Sequence, residues 1–247
     1  MTPRSPVAFM RDLEKRYKKT SGFVNRAQYK IFYGPVHSAP ILVLGINPGG
    51  DPANTEPDGS KHKTGEVAAA SAGFYESGEH DVLDCEWKEN KGLKKLLVPL
   101  LNGDEAAIRS KVVKTNLAFQ RSPKAKDIDF ETAKAEAAPF LSEIMAVVRP
   151  RLVVLTSLDL QAFLTAFCSK VTDTTEQVRD EKVKQVVFES AHAQIKNCES
   201  PSLIVRVAHA SQFSWTYAKY NVVNRISALQ AQPTVQADGP AFGGSAA

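Results

Sequence analysis

Three polar side chains follow or end apolar runs of the sequence, and their types could do chemistry on a small polar molecule. Asn47 follows the run 41–46, Asn116 lies near the end of 111–117, and His209 ends 203–209. A carboxamide supplies both a hydrogen-bond donor and an acceptor, and an imidazole can donate to an oxygen atom that gains negative charge. Ligands of open parallel sheets bind beyond the carboxyl ends of the strands, so we expect these side chains to open on one crevice.

The elements that must position these groups can be predicted from hydrophobic patterning. Four short runs rich in β-branched residues are typical of strands buried on both faces of a parallel sheet: 41–46, 111–117, 152–157 and 203–209. Helical spacing predicts helices over 92–101, 130–148, 158–167 and 214–229. We expect Asp129 to cap the second helix and Pro139 to kink or break it. The alternation predicts an α/β fold, a three-layer α/β/α sandwich with a central four-stranded parallel sheet.

The chain of 247 residues is long enough for one sizeable α/β domain. We predict an N-terminal helical segment over 1–26, a domain over 27–230 and a disordered tail over 231–247, since the tail is small, polar and rich in glycine. Residues 51–90 form a long polar insertion that is typical of a functional loop.

Composition narrows the class of protein. The net charge of +4 permits a polyanionic partner without requiring one. Cys85, Cys168 and Cys198 lie far apart, which argues against an iron–sulfur cluster or a zinc ribbon and fits a reducing cytoplasm. We expect no signal peptide, since residues 1–19 are charged throughout, and we expect no membrane span, since no run of about 18 apolar residues occurs. We therefore expect a cytoplasmic enzyme or binding protein.

Each candidate feature also has a purely structural explanation. The turn 45–50 is a common way to leave a sheet, and it has neither the Lys-Ser/Thr step of a P-loop nor a G-x-G-x-x-G pattern. An asparagine at a strand end often caps a turn, and a lone histidine there is more often structural. The coincidence of three polar groups at three strand ends favours the functional interpretation.

The same segments resemble the motifs of the uracil-DNA glycosylase superfamily, over about residues 27–229. Gly45-Ile46-Asn47-Pro48-Gly49 is similar to the first motif, which carries a water-positioning asparagine in the mismatch-specific and single-strand-selective branches. The segment 115–123, which contains Asn116, is similar to the second element, where an asparagine reads the pyrimidine edge. His209-Ala210-Ser211 resembles the His-Pro-Ser of the last motif, with Ala210 in place of proline.

This resemblance implies a monofunctional DNA glycosylase, a hydrolase that removes a flipped-out uracil or related pyrimidine and leaves an abasic site. Asn47 would hold the attacking water beneath C1′, with Asp51 as a secondary candidate base. His209 would donate to the base oxygen that gains charge, and Asn116 would match the O4 and N3–H of uracil. Because no lysine stands at a motif position as an evident Schiff-base nucleophile, we expect hydrolysis without strand cleavage.

Further residues are expected to contact the base or the DNA. Gly45, Ile46 and Ser211 belong to the motifs as substrate-binding residues. Aromatic candidates for stacking on the base are Phe74, Tyr75 and Trp87, and Phe213 or Trp215 could wedge into the base stack. Basic residues over 61–63, 88–95 and 121–126 would contact phosphates. We expect DNA as the partner, nucleoid association through it, a monomer, and no membrane, metal or cofactor.

Three alternatives stay open at the level of sequence. The insertion could shape a pocket for a larger modified base, as in defence against phages with altered DNA. The chain could be an inactive relative that binds DNA or a nucleobase without cutting. A doubly wound nucleotide-binding regulator is the third, and the lack of a phosphate-binding fingerprint disfavours it.

Overall fold

The structure is a computed structural model that describes residues 5–19, 29–46, 79–120, 129–182 and 184–232. These residues form an α/β fold, which confirms the predicted class. The strands are β1 (Ile41–Gly45), β2 (Val112–Asn116), β3 (Leu152–Thr156), β4 (Cys168–Asp180), β5 (Gln185–Ile195) and β6 (Ser202–Val207). The helices are α1 (Pro6–Tyr17), α2 (Asp81–Asp84), α3 (Lys88–Leu100), α4 (Ile108–Lys111), α5 (Phe130–Val148), α6 (Leu160–Phe167), α7 (Ala210–Phe213), α8 (Trp215–Lys219) and α9 (Val222–Ala231).

The strands form one six-stranded sheet in the order β2-β1-β3-β6-β5-β4. Strands β2, β1, β3 and β6 pair in parallel, whereas β5 runs antiparallel to β6 and β4. The sheet is therefore mixed, and the prediction of a four-stranded parallel sheet was wrong in omitting the β4–β5 hairpin. Polar residues dominate β4, so this strand has no continuous apolar run by which it could be predicted. Several register shifts also interrupt its pairing with β5.

Hydrophobic side chains pack on both faces of the sheet because successive strand residues point to opposite sides. Leu42 and Leu44 belong to one core cluster, whereas Ile41 and Val43 belong to the other. The first cluster also includes Met10 from α1, so the helix within the predicted 1–26 segment packs on the same core as the sheet.

Helix α5 has the predicted bounds, and Asp129 caps it by accepting a 3.1 Å hydrogen bond from the Thr132 amide. Pro139 lies inside this helix without ending it, so of the predicted kink or break the break is wrong and the kink stays a prediction. The predicted helix over 214–229 is instead divided into α8 and α9, since Asn221 adopts a left-handed conformation with φ 51°. None of the helices among the described residues is long and apolar enough to cross a membrane.

The end of the predicted insertion is part of the packed structure. Residues 79–90 contain α2 and the start of α3, and the side chains of His80, Asp81, Val82 and Asn90 are buried. The interpretation of 51–90 as one polar loop is therefore wrong for this last part. The tail beyond residue 232 lies outside the described residues.

Candidate functional site

The carboxyl ends of β1 and β2 bring Gly45 and Asn116 into contact. These residues are register partners, and a Cβ atom added at Gly45 would lie 2.2 Å from Asn116 Oδ1. The position therefore requires glycine, because any larger side chain would displace the buried amide. Beyond the strands the two segments stay paired, since Leu117 donates to the Gly45 carbonyl at 2.8 Å and Ala118 to that of Ile46 at 3.0 Å.

His209 lies just beyond β6 as the N-cap residue of α7. Its Nδ1 accepts a 3.3 Å hydrogen bond from the Ser211 amide and lies 2.8 Å from the Ser211 hydroxyl. A nitrogen that accepts from an amide carries no proton, so the ring proton resides on Nε2. The predicted substrate-binding residue Ser211 thus contacts His209, and its position leaves Nε2–H as a donor. Tyr217 steadies the preceding backbone by donating to the Ala208 carbonyl at 2.7 Å.

Helix α3 begins at a candidate stacking residue and packs on the segment that follows His209. Trp87 is its N-cap residue and is exposed over 36% of its surface. One turn further on, Gly92 packs so closely on α7 that an added Cβ would lie 2.0 Å from the Ala210 carbonyl oxygen. Trp87, the only stacking candidate among the described residues, therefore lies at the start of the helix that contacts the segment after His209.

The sheet order sets how far apart the candidate residues lie. Strand β3 separates β1 from β6, and both β1 and β3 separate β2 from β6. At about 4.8 Å per strand, the ends of β2 and β6 are about 14 Å apart. Asn116 and His209 therefore flank the edge from two sides, with Gly45 and Ile46 between them.

Several predicted site residues lie outside the described residues. They are the water-holding candidate, the secondary base, two stacking candidates and two of the three basic segments: Asn47, Asp51, Phe74, Tyr75, 61–63 and 121–126. In the remaining basic segment, 88–95, Lys91 pairs with Glu86 and Lys94 with Glu105, each at 2.8 Å. Two of the four lysines in that segment thus lie in ion pairs with carboxylates.

A buried polar cluster next to Asn116 was missed in the sequence. Lys114 on β2 is only 3% exposed, and its ammonium group lies 3.0 Å from Asn90 Oδ1 and 3.6 Å from carboxylate oxygens of Asp81 and Glu89. Lys30 binds the other oxygen of Asp81 at 2.9 Å. The signal was a lysine inside a buried apolar strand, because such a charge needs a buried partner.

The cluster holds Asp81 in its ionised form. Burial alone would raise the pKa of Asp81, but the charges of Lys114 and Lys30 and the hydrogen bonds from Lys30 and Asn90 hold it well below its usual range. Next to it, His80 donates from Nε2 to the Val112 carbonyl at 2.9 Å, and its buried Nδ1 has no partner among the described residues. Burial lowers the pKa of His80, because a proton on Nδ1 would be enclosed without an acceptor.

We expect His80 to make the protein less stable in mild acid. Its folded-state pKa is depressed, so the unfolded chain takes up a proton below about pH 6.5 while the folded chain does not, and stability falls by up to about 1.4 kcal/mol per pH unit. His80→Gln keeps a donor for Val112 without titrating, and it should flatten urea-unfolding stability between pH 7 and 5. His192→Gln on β5 is the matched control. An equally steep decline in His80→Gln would contradict this assignment.

Among the described residues, the remaining side chains that could ligate a metal ion do not form a metal site. The described residues contain no group of three or more His, Cys, Asp or Glu side chains that could hold a metal ion. The three cysteines are free thiols, and burial raises the pKa of Cys168 to about 11.

Comparison with models of known protein families and with curated protein sequences found no match to this chain.

Proposed function

We propose that this protein is a monofunctional DNA glycosylase that hydrolyses the glycosidic bond of a flipped-out uracil or related pyrimidine. The observation that carries the proposal is the pair of contacts between Ser211 and Nδ1 of His209, because an Nδ1 that accepts from the Ser211 amide leaves Nε2–H to donate. A departing pyrimidine gains negative charge on its carbonyl oxygen. A neutral imidazole N–H that points at this oxygen would stabilise the negative charge by donating a hydrogen bond.

The opposite side of the edge supports the same proposal. Asn116 offers an amide to the polar edge of a base, and Gly45 leaves room for that amide. Asn47, two residues beyond Gly45, is proposed to hold the attacking water. The three segments that resemble the uracil-DNA glycosylase superfamily occur in the order of its motifs and carry the residue types that the proposed roles require. The two hydrophobic cores, one on each face of the sheet, support the three-layer sandwich that the resemblance implies.

A base-release assay tests the proposal directly. Oligonucleotides that carry uracil opposite adenine, uracil opposite guanine or single-stranded uracil are incubated with the protein beside modified pyrimidines. Abasic sites are then cleaved with alkali. We expect strand breaks that appear only after alkali, because hydrolysis leaves the backbone intact. Absence of release from every substrate contradicts the proposed activity, and release from a modified pyrimidine alone assigns the larger-base alternative.

DNA is the proposed partner, and association with the nucleoid follows from it. The affinity should therefore fall as salt rises, with a slope set by a few phosphate contacts. Lys88, exposed at the start of α3, is a candidate contact, so Lys88→Ala should reduce that slope by about one. Lys170→Ala on the distant edge strand β4 is the control, with the salt series followed by fluorescence anisotropy. An affinity that does not change with salt concentration would contradict the proposal that DNA is the partner.

A further inference from the structure

A cavity of about 340 Å³ lies at the amino ends of the parallel strands, on the edge of the sheet opposite Asn116 and His209. Its wall is formed by the segments 38–40, 149–151 and 198–200, which precede β1, β3 and β6. Strand β1 has five residues, so about 16 Å of strand separates the cavity from the carboxyl edge. The cavity therefore does not belong to the proposed glycosylase site.

Three charged side chains line this cavity, from Arg149, Arg151 and Glu199. No described residue forms an ion pair with any of the three, and both arginines are exposed. Within that part of the chain, the one hydrogen bond from either guanidinium group runs from Arg149 Nε to the Ala146 carbonyl at 3.4 Å. The terminal nitrogens of both guanidinium groups are thus open to a ligand.

The backbone that carries the two arginines is fixed. Arg149 ends α5 in a left-handed conformation with φ 51°, a position usually taken by glycine because a Cβ atom is strained there. Pro150 is buried, and its carbonyl accepts a 2.6 Å hydrogen bond from the Ser202 hydroxyl. The Arg151 amide donates to the Pro40 carbonyl at 2.9 Å. An arginine kept at a strained position on a fixed backbone favours a role for its side chain.

The charges and the size of the cavity together define a class of ligand. A guanidinium group forms two parallel hydrogen bonds with phosphate oxygens, so two arginines suit a phosphate dianion. The volume falls within the range of small-molecule sites, and Glu199 would repel a bare phosphate but accept from a hydroxyl or amino group. We propose that this cavity binds a small phosphate monoester, with its phosphate on Arg149 and Arg151 and a hydroxyl or amino group on Glu199. This second site does not depend on the activity proposed above.

Calorimetric titration of the full chain tests the class of ligand. The probes are ribose 5-phosphate, glycerol 3-phosphate and adenosine 5′-monophosphate, each beside its unphosphorylated counterpart and beside inorganic phosphate. At least one ester should bind about tenfold or more tightly than inorganic phosphate, because it also donates to Glu199, and its unphosphorylated counterpart should not bind. The proposal is wrong if no ester binds more tightly than inorganic phosphate.

Variants of the arginines separate binding from a structural role. Arg151→Gln should weaken binding of the ester by about 10–100-fold, since it removes one charged partner of the phosphate. Arg149→Gly should weaken it as much while unfolding at about the wild-type urea concentration, because glycine suits the left-handed backbone. Arg179→Gln is the matched control, an exposed arginine that pairs with Val186 at the far end of the β4–β5 hairpin. Wild-type affinity in both cavity variants would show that the arginines serve the fold alone, which overturns the proposal.

Cys198 reports on the cavity in the wild-type protein. It lines the cavity, whereas Cys85 follows α2 outside it; both thiols are partly buried, and burial raises the pKa of each. An ester at ten times its Kd should slow alkylation of Cys198 by iodoacetamide about tenfold and leave Cys85 unchanged, as followed by mass spectrometry of peptides. Unchanged alkylation of Cys198 would place the ester elsewhere and overturn the assignment.

An oligonucleotide distinguishes a free ester from the DNA backbone as the source of the phosphate. A single-stranded oligonucleotide with a hydroxyl group at each end carries only phosphate diesters, and the proposed DNA site lies at the opposite edge of the sheet. It should therefore leave the alkylation rate of Cys198 unchanged. Protection of Cys198 by the oligonucleotide as strong as that by the ester would assign the cavity to DNA and overturn the proposal of a small ligand.

Discussion

His209→Ala should slow single-turnover excision of uracil by about 10²–10³-fold, as expected for the loss of one preorganised donor to a developing negative charge. The Nε2–H of His209 acts when the base departs, so DNA affinity should change little. Ser211→Ala should give a smaller loss, because it removes the hydroxyl that lies 2.8 Å from Nδ1 but keeps the backbone amide that donates to the same atom. Rates are measured with enzyme in excess over a uracil oligonucleotide, and affinity by anisotropy.

The matched control is His192→Ala on β5, which should excise at the wild-type rate. His192 pairs with Leu203 near the amino end of β6, away from the edge that carries His209.

Asn47→Ala should slow excision strongly as well, because the attacking water would no longer be held in position. Wild-type rates in His209→Ala would show that another group stabilises the departing base. Wild-type rates in Asn47→Ala would assign the water to Asp51 or a different residue.

Asp81→Asn should lower the free energy of unfolding by about 3–5 kcal/mol, the cost expected when one member of a buried ion pair is removed and the other stays charged. Lys114 would keep the Asn90 amide oxygen, the Glu89 carboxylate at 3.6 Å and the face of the Tyr33 ring, none of which replaces the buried carboxylate of Asp81. Lys114→Met should cost less, since Asp81 would keep its 2.9 Å contact with Lys30. Urea unfolding at pH 7 gives both values.

The double variant Asp81→Asn/Lys114→Met provides the decisive comparison. It also removes the Lys114 ammonium group, which Asp81→Asn leaves without its buried carboxylate, so the double variant should be more stable than Asp81→Asn alone. Glu86→Ala breaks the exposed pair with Lys91 in the adjoining segment and should leave stability almost unchanged. A loss of less than about 1 kcal/mol in Asp81→Asn would mean that the Lys114 ammonium finds a substitute partner on folding.

The amino-acid sequence by itself determined the parallel half of the sheet and its main helix. The four apolar runs became β1, β2, β3 and β6 within one or two residues at each end, because strands buried on both faces are apolar at most of their positions. Helix α5 was equally readable, since its period and its cap at Asp129 are encoded within a few neighbouring residues. The placement of Asn116 and His209 at the ends of their strands follows from the same patterns.

The tertiary structure alone decided the features that depend on contacts between distant residues. The β4–β5 hairpin joins the sheet because β5 pairs with the free edge of β6. No local pattern within residues 168–195 predicts that pairing. Lys114 is tolerated in a buried strand because Asn90 and Asp81 meet it from positions 24 and 33 residues away along the chain. Tyr33 likewise contacts Asn116 from a position 83 residues away. Hydrophobic periodicity records which face of an element is buried, whereas the partner of a buried charge is set by how the chain packs around it.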